Sequence, residues 1–199
     1  MEKKLYKINE IFYSIQGEGY NAGCAAVFVR FSGCNLQCPF CDTQHADGTM
    51  LTAQDICREI QQYPASLVVL TGGEPALFVD AELCDAIHAL GCRIAMETNG
   101  TRPVLPAIDH VTCSPKFEFC ASADARLQIS TCDELKVVFT GHNDLSLYDG
   151  IQADSYFLQP CDTGDEAENK KIVKATFDYI LSHPKWRMSL QLHKIINVR

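Results

Sequence analysis

Three cysteines crowd into the run Gly33-Cys34-Asn35-Leu36-Gln37-Cys38-Pro39-Phe40-Cys41, spaced Cys-x3-Cys-x2-Cys. Thiolates bind zinc and iron–sulfur clusters alike, so ligand type alone leaves both open. Ligand count separates them further. A closed structural zinc site takes four ligands, whereas three cysteines are gathered here, with His45 the nearest candidate for a fourth. On a 4Fe–4S cluster, three thiolates leave one iron free to chelate the amino and carboxylate groups of an amino-acid-like cosubstrate. An electron passed from such a cluster into the sulfonium of S-adenosylmethionine breaks a carbon–sulfur bond and yields a 5′-deoxyadenosyl radical, chemistry that belongs to the cofactor. The protein's task is positioning.

The total of 11 cysteines is odd, and the other eight (Cys24, Cys57, Cys84, Cys92, Cys113, Cys120, Cys132, Cys161) are isolated. Free cysteine commonly behaves as a small buried hydrophobe. A disulfide-rich secreted domain would spread its cysteines in pairs through a loop-rich fold, and the start, Met1-Glu2-Lys3-Lys4, leads into no signal-peptide core. A cytoplasmic protein is expected. Its 199 residues, 47% hydrophobic, suffice for one substantial core and one domain spanning 1–199. A formal net charge of −8 argues against a nucleic-acid backbone as partner, and no apolar run is long enough to span a bilayer. A small molecule is the expected partner.

The elements that must position these residues show as short apolar runs alternating with helical patterns, the signature of repeated β/α units and a mostly parallel sheet. Ala25 to Ser32 reads as the first strand, followed by Leu67–Thr71, Arg93–Thr98, His110–Ser114, Glu134–Phe139, Ser155–Gln159 and Arg187–Leu192. Helices are expected from Thr52 toward Tyr63 and from Asp80 to Leu90, each opened by a capping residue, and from about Asp165 to Ser182, ending before Pro184. Residues 117–132 fit neither periodicity.

Almost every predicted strand ends in a polar or glycine-rich cluster: Ser32-Gly33-Cys34, Thr71-Gly72-Gly73-Glu74-Pro75, Glu97-Thr98-Asn99-Gly100, Ser114-Pro115-Lys116 and Gln159-Pro160. In parallel β/α folds the carboxyl ends of the strands form the functional face, so these clusters should converge on one site.

The cysteine triad after one strand and Gly72-Gly73-Glu74-Pro75 after the next resemble the radical S-adenosylmethionine (SAM) superfamily. Further segments narrow the likeness: Ile15-Gln16-Gly17-Glu18-Gly19, Phe28-Val29-Arg30, Cys41-Asp42-Thr43, Glu97-Thr98-Asn99-Gly100-Thr101, Ser114-Pro115-Lys116 and Gln191-x-His193-Lys194. Together they resemble the 7-carboxy-7-deazaguanine synthase family, carbon–nitrogen lyases that contract 6-carboxy-5,6,7,8-tetrahydropterin to a 7-deazapurine with loss of ammonia, on the route to queuosine. One departure is Leu192, where a small polar residue is expected before His193.

The resemblance implies an incomplete (partial) β/α barrel, a 4Fe–4S cluster on Cys34, Cys38 and Cys41, SAM, Mg2+ with Thr43 as a ligand, a homodimer, and an electron donor such as flavodoxin or ferredoxin. Gly72, Gly73 and Glu74 are expected by the methionyl amino group, and Glu97, Asn99, Ser114, Lys116 and Gln159 around the rest of the cosubstrate. The substrate presents a carboxylate, a lactam oxygen and an aminopyrimidine edge, which call for a cation, a donor and an acidic acceptor. Arg30 is the candidate for the carboxylate and His193 for the lactam oxygen. Ile15, Gln16, Gly17, Glu18 and Thr71 belong to the same substrate set. The terminal carboxylate of Arg199 is expected to face the guanidine-like edge. Asp42 either supports the metal or caps its loop.

Two rivals stay in view. A glycyl-radical activating enzyme would share the cysteines and Gly-Gly-Glu-Pro but has little use for Arg30, Thr43 and the Gln191-to-Lys194 ending. A zinc-stapled binding module would use Cys34, Cys38, Cys41 and His45.

Overall fold

The chain's apolar runs become neighbours in a single curved sheet. Strand β1 (Tyr6–Ile15) pairs antiparallel with β2 (Ala25–Phe31) and with the short β3 (Thr49–Leu51). From β2 onward every pairing is parallel, through β4 (Leu67–Gly72), β5 (Arg93–Thr98), β6 (His110–Cys113), β7 (Thr131–Phe139), β8 (Gln152–Pro160) and β9 (Trp186–Met188). The order is β3-β1-β2-β4-β5-β6-β7-β8-β9, with β3 and β9 as unjoined edges: a mostly parallel sheet that stays open. The computed structural model describes residues 3–41, 43–44, 46–120 and 122–198. Among them, no helix is long and apolar enough to cross a membrane.

Side-chain alternation along the strands divides the two faces. On the outer face Val27, Val29, Phe31, Val68, Leu70, Ile94 and Met96 pack beneath helices α1 (Ala53–Ile60) and α2 (Ala81–His88). Leu135, Val137, Phe139 and Leu158 form a second outer core with Ala175, Tyr179 and Ile180 of α3 (Glu166–Ser182). The inner face is lined at the amino ends of the first strands by Phe12, Ala26, Phe28, Val69 and Ala95, with Phe12 and Phe28 stacked 4.9 Å apart. Toward the carboxyl ends the inner positions turn polar. The apolar floor therefore supports a polar rim.

The three expected helices form, and their caps explain where they start. Thr52 accepts from Asp55 N and receives its side chain in return, closing a capping box, while Asp80 and Asp165 accept from the first-turn amides of α2 and α3. The strand pattern needs several corrections: the edge strand Thr49–Leu51 has no counterpart among the expected runs, and β7 and β8 begin at Thr131 and Gln152, ahead of the expected Glu134 and Ser155. Ala25–Phe31 is the second strand, because Tyr6–Ile15 is itself a strand whose alternation is broken by a bulge between Ile8 and Glu10. The run expected to be extended from Arg187 to Leu192 stops at Met188. Ser189 turns inward there, 2% exposed, and Leu192–Ile195 winds into the short helix α4. Of the stretch 117–132, Phe117–Phe119 form a turn and Ala123–Ala125 a 3-10 turn, and β7 begins at Thr131.

Candidate functional site

The carboxyl ends of β2, β4, β5, β6, β7 and β8 surround one cavity of about 590 Å³. Cys34, Cys38, Cys41 and Thr43 line it, as do Gly72, Gly73, Glu97, Asn99, Ser114, Lys116 and Gln159, and so do Ile15, Gln16, Gly17, Glu18, Arg30, Thr71 and His193. Among the expected residues that are described, Glu74 stands apart, fully buried behind the wall. Arg199, Asp42 and His45 lie outside the described residues.

Glycines bring backbone segments into contact around the thiols. A Cβ on Gly73 would collide with the carbonyl of Gly33, so only glycine lets the loop after β4 lie against the cysteine loop. Glu74 N–H donates to that same carbonyl at 2.9 Å. The Glu74 carboxylate accepts from Thr98 Oγ1 at 2.7 Å, Asn99 N at 2.7 Å and Ala76 N at 3.0 Å, tying the ends of β4 and β5 together. Burial pushes its carboxyl up, against these hydrogen bonds, which favour the ionised form. Asn99 donates to Asn35 Oδ1 at 3.1 Å, and Asn35 donates to Thr101 Oγ1 at 2.9 Å, so the cysteine loop is laced to β5.

All eleven cysteines are free thiols. Among the described residues no three His, Cys, Asp or Glu side chains gather tightly enough for a single metal ion. A tetrahedral zinc site would draw its sulfurs to within about 4 Å of one another. Three thiols on one wall of the cavity are the donor set of a 4Fe–4S cluster that keeps one iron open. Cys38 has an additional neighbour that sequence spacing did not reveal: the buried Cys120 thiol, 3.6 Å away. Burial and that contact push the Cys38 thiol up to about 12, while Lys116 opposes the rise, and burial likewise raises Cys34. Metal binding must therefore displace protons from these sulfurs.

On the adjoining wall, Arg30 is held by β1. Its Nε donates to Glu10 Oε1 at 2.8 Å, Phe12 lies 5.7 Å beneath the guanidinium, and Nη1 meets Thr43 Oγ1 at 3.4 Å. The candidate carboxylate ligand and the candidate metal ligand are thus in contact. Lys116 donates to the carbonyl and hydroxyl of Ser114, both at 2.6 Å, and burial lowers its ammonium.

The far wall is an ionic cluster. Lys136 of β7, its side chain 5% exposed, donates to Glu18 Oε2 at 2.7 Å and Glu97 Oε2 at 2.8 Å. Gln16 donates to Glu97 Oε1 at 3.1 Å, and Gln191 to Glu18 Oε1 at 3.0 Å. Burial pushes Glu18 up, but the Lys136 charge and the hydrogen bonds outweigh it and hold the carboxyl at about 2. Glu97 moves the other way, because burial and the neighbouring Glu134 and Glu18 charges outweigh Lys136. Lys136 itself is raised: burial opposes its charge, yet Glu18, Glu97 and Glu134 more than offset that.

The ending of the chain closes over the β1–β2 loop. A Cβ on Gly17 would strike the His193 ring, so this glycine permits the histidine's approach. Leu192 meets the loop through its backbone, N–H to Gly17 O at 3.1 Å, which explains why its side chain need not be small or polar. Ser189 accepts from Gly19 N at 3.0 Å and donates to Gln159 at 2.9 Å, and Tyr20 N donates to the buried Glu134. Lys194 pairs with Asp162 of the loop after β8 at 2.8 Å, and Asp162 to Gly164 join the lining.

Lys136 is the main residue that sequence reading missed. A signal was present: Glu134, Lys136 and Val138 alternate with the core residues Leu135, Val137 and Phe139, and charges at alternate positions of a buried parallel strand must point into a polar interior.

Comparison with known proteins accords with this geometry. Residues 28–112 match the Radical SAM superfamily. The chain is 51% identical over 193 residues to a 7-carboxy-7-deazaguanine synthase of Bacteroides thetaiotaomicron, covering 97% of this chain and 98% of that one. It is 40% identical over 216 residues to the synthase of Burkholderia multivorans, covering 97% and 99%. A crystal structure of QueE from Escherichia coli aligns with a TM-score of 0.76 at 28% identity, covering 95% of each chain.

Proposed function

Because the chain belongs to the 7-carboxy-7-deazaguanine synthase family of radical SAM enzymes, we propose that its cavity contracts 6-carboxy-5,6,7,8-tetrahydropterin to 7-carboxy-7-deazaguanine with loss of ammonia. The observation that carries this reading is the meeting, in one cavity, of the cysteine triad with Arg30, Glu18 and His193. A glycyl-radical activating enzyme or a zinc module has little use for that second set.

Cys34, Cys38 and Cys41 would hold the 4Fe–4S cluster, which supplies the electron that cleaves SAM to the 5′-deoxyadenosyl radical. Gly72 and Gly73 leave room for the cosubstrate's amino-acid end beside the thiols, while Glu74 braces that loop from behind. Glu97, Asn99, Ser114, Lys116 and Gln159 line the path of its remainder. Arg30 offers a guanidinium to the substrate carboxylate, and Thr43 beside it offers a hard oxygen to Mg2+. Glu18, held ionised by Lys136, accepts from the aminopyrimidine edge, and His193 over Gly17 donates to the lactam oxygen. Thr71 and the backbone of Ile15 to Gly17 complete the wall. The apolar floor of Phe12 and Phe28 keeps water from beneath the ring.

Family membership supports the homodimer and a flavodoxin or ferredoxin as electron donor. A reducing cytoplasm accords with eleven unpaired thiols. The test is anaerobic turnover by cluster-reconstituted protein with reductant, SAM, Mg2+ and the carboxypterin. Formation of 7-carboxy-7-deazaguanine, dependent on each component, is the expected result. A fully loaded cluster that cleaves SAM and yields no deazapurine would overturn the assignment.

A further inference from the structure

Lys136 belongs to no set of ligands named so far, yet it joins two of them. It rises from the middle of β7, where Leu135 and Val137 on either side are fully buried in the outer core, so its stem is fixed by the strand. Its ammonium is shared between Glu18, which comes from the β1–β2 loop, and Glu97, which ends β5. Gln16 closes the figure. It donates through Nε2 to Glu97 at 3.1 Å and accepts through Oε1 from Glu18 N–H at 3.2 Å, making a ring of Gln16, Glu97, Lys136 and Glu18. Every member lines the cavity.

An ammonium held between two carboxylates cannot be drawn toward one without weakening its hold on the other. A ligand that donates to Glu97 fixes the ring in one arrangement, with Lys136 set between the two carboxylates, so a second ligand meeting Glu18 finds its acceptor already ordered and loses less entropy on binding. The reverse follows from linkage, because a coupling between two bound ligands is the same whichever binds first.

We propose that Lys136 is a positioning residue that couples the two halves of the cavity, so that SAM on the Glu97 side and the carboxypterin on the Glu18 side each tighten the other. This rests on the assignment of Glu97 to the cosubstrate and Glu18 to the substrate. Lys136 touches neither ligand; it acts through the carboxylates it holds.

The experiment uses cluster-loaded protein kept anaerobic and without reductant, so that neither ligand turns over. Titration calorimetry of SAM with and without saturating carboxypterin gives the coupling factor, expected to be about tenfold in the wild type. In K136M the factor falls to near one while iron content and cluster absorption are kept, and K136R, which retains the charge, restores part of it. Should K136M not fold, the carboxylates answer in the lysine background: E97Q weakens carboxypterin binding, and E18Q weakens SAM binding, each across the ring. Unchanged coupling in loaded K136M, or E97Q and E18Q that each affect their own ligand alone, overturns the proposal and leaves the substrate assignment standing. Failure of the wild type to bind the carboxypterin at all overturns that assignment, and the coupling with it.

Discussion

The two walls of the cavity are built in opposite ways. The thiol wall is contiguous in sequence, Cys34 to Thr43, and its reactive atoms are sparsely bonded within the protein: Cys34 Sγ accepts from Leu36 N at 3.4 Å, and Cys41 Sγ meets Thr43 O at 3.6 Å. The ionic wall draws Gln16, Glu18, Glu97, Lys136 and Gln191 from across the chain and bonds them to one another at 2.7–3.1 Å. Sulfur ligands are completed by metal, so the protein leaves them without strong partners. Carboxylates in a buried setting need a counter-charge from the protein itself, or desolvation would drive them to protonate. The thiol wall takes its partners from a cofactor; the ionic wall supplies its own counter-charges.

The largest effect should come from breaking the thiol wall. C38A is expected to remove bound iron and abolish turnover, while circular dichroism and the denaturation midpoint stay close to those of wild type stripped of its cluster, because no strand pairing or ionic contact depends on that sulfur. Iron analysis and far-ultraviolet spectra check it together. Retained iron at the wild-type ratio would move the cluster elsewhere.

Next in size is R30Q at the junction of the walls. A hydrogen bond to a charged group contributes about 1.5–3 kcal/mol, so loss of the guanidinium should raise KM for the carboxypterin about tenfold to hundredfold. SAM affinity should hardly move, since Arg30 is anchored on Glu10 and Thr43 and not on the cosubstrate side. Equal losses for both ligands would contradict that division.

The ionic wall should also show itself in acid. Glu18 is held at about 2, below its unfolded carboxyl near 4.5, so the stability it contributes is present in full above about 4.5 and is lost as pH falls toward 2. Urea denaturation of the wild type and E18Q should therefore differ most at pH 6, differ less at pH 3 and converge only as the pH reaches about 2. A gap as wide at pH 2 as at pH 6 would mean that Glu18 contributes packing and not charge.

The same contrast explains what could be read from the sequence. The thiol wall was legible because its chemistry is local, and the strand ends were legible because parallel strands buried on both faces are nearly continuous apolar runs such as Leu67–Leu70. Strand Tyr6–Ile15 escaped because its bulge shifts the alternation partway along, so that neither half looks like a strand. The end of the strand near Met188 was misread because Ser189 is drawn inward by partners at Gly19 and Gln159, contacts that exist only once the fold is made. Lys136 was passed over for a similar reason. The alternation along β7 points its side chain inward, but the partners that give it a role lie 118 and 39 residues away.

The smallest expected effect concerns Cys120, which sits at the edge of the thiol wall and tests whether that wall really ends with three ligands. Its sulfur is 3.6 Å from Cys38 and buried with Leu36 and Ala125, so distance alone would admit it to the metal's surroundings. The sequence context differs from that of the triad: Cys120 follows Phe117 and Phe119 in an apolar pocket and is not among the residues lining the cavity. C120A should therefore leave iron content, cluster absorption and SAM affinity at wild-type levels, with at most a small loss of stability from the vacated sulfur. Loss of iron in C120A would make Cys120 a fourth ligand. That would remove the open iron on which cosubstrate binding depends, and with it the distinction between a catalytic cluster and a structural one.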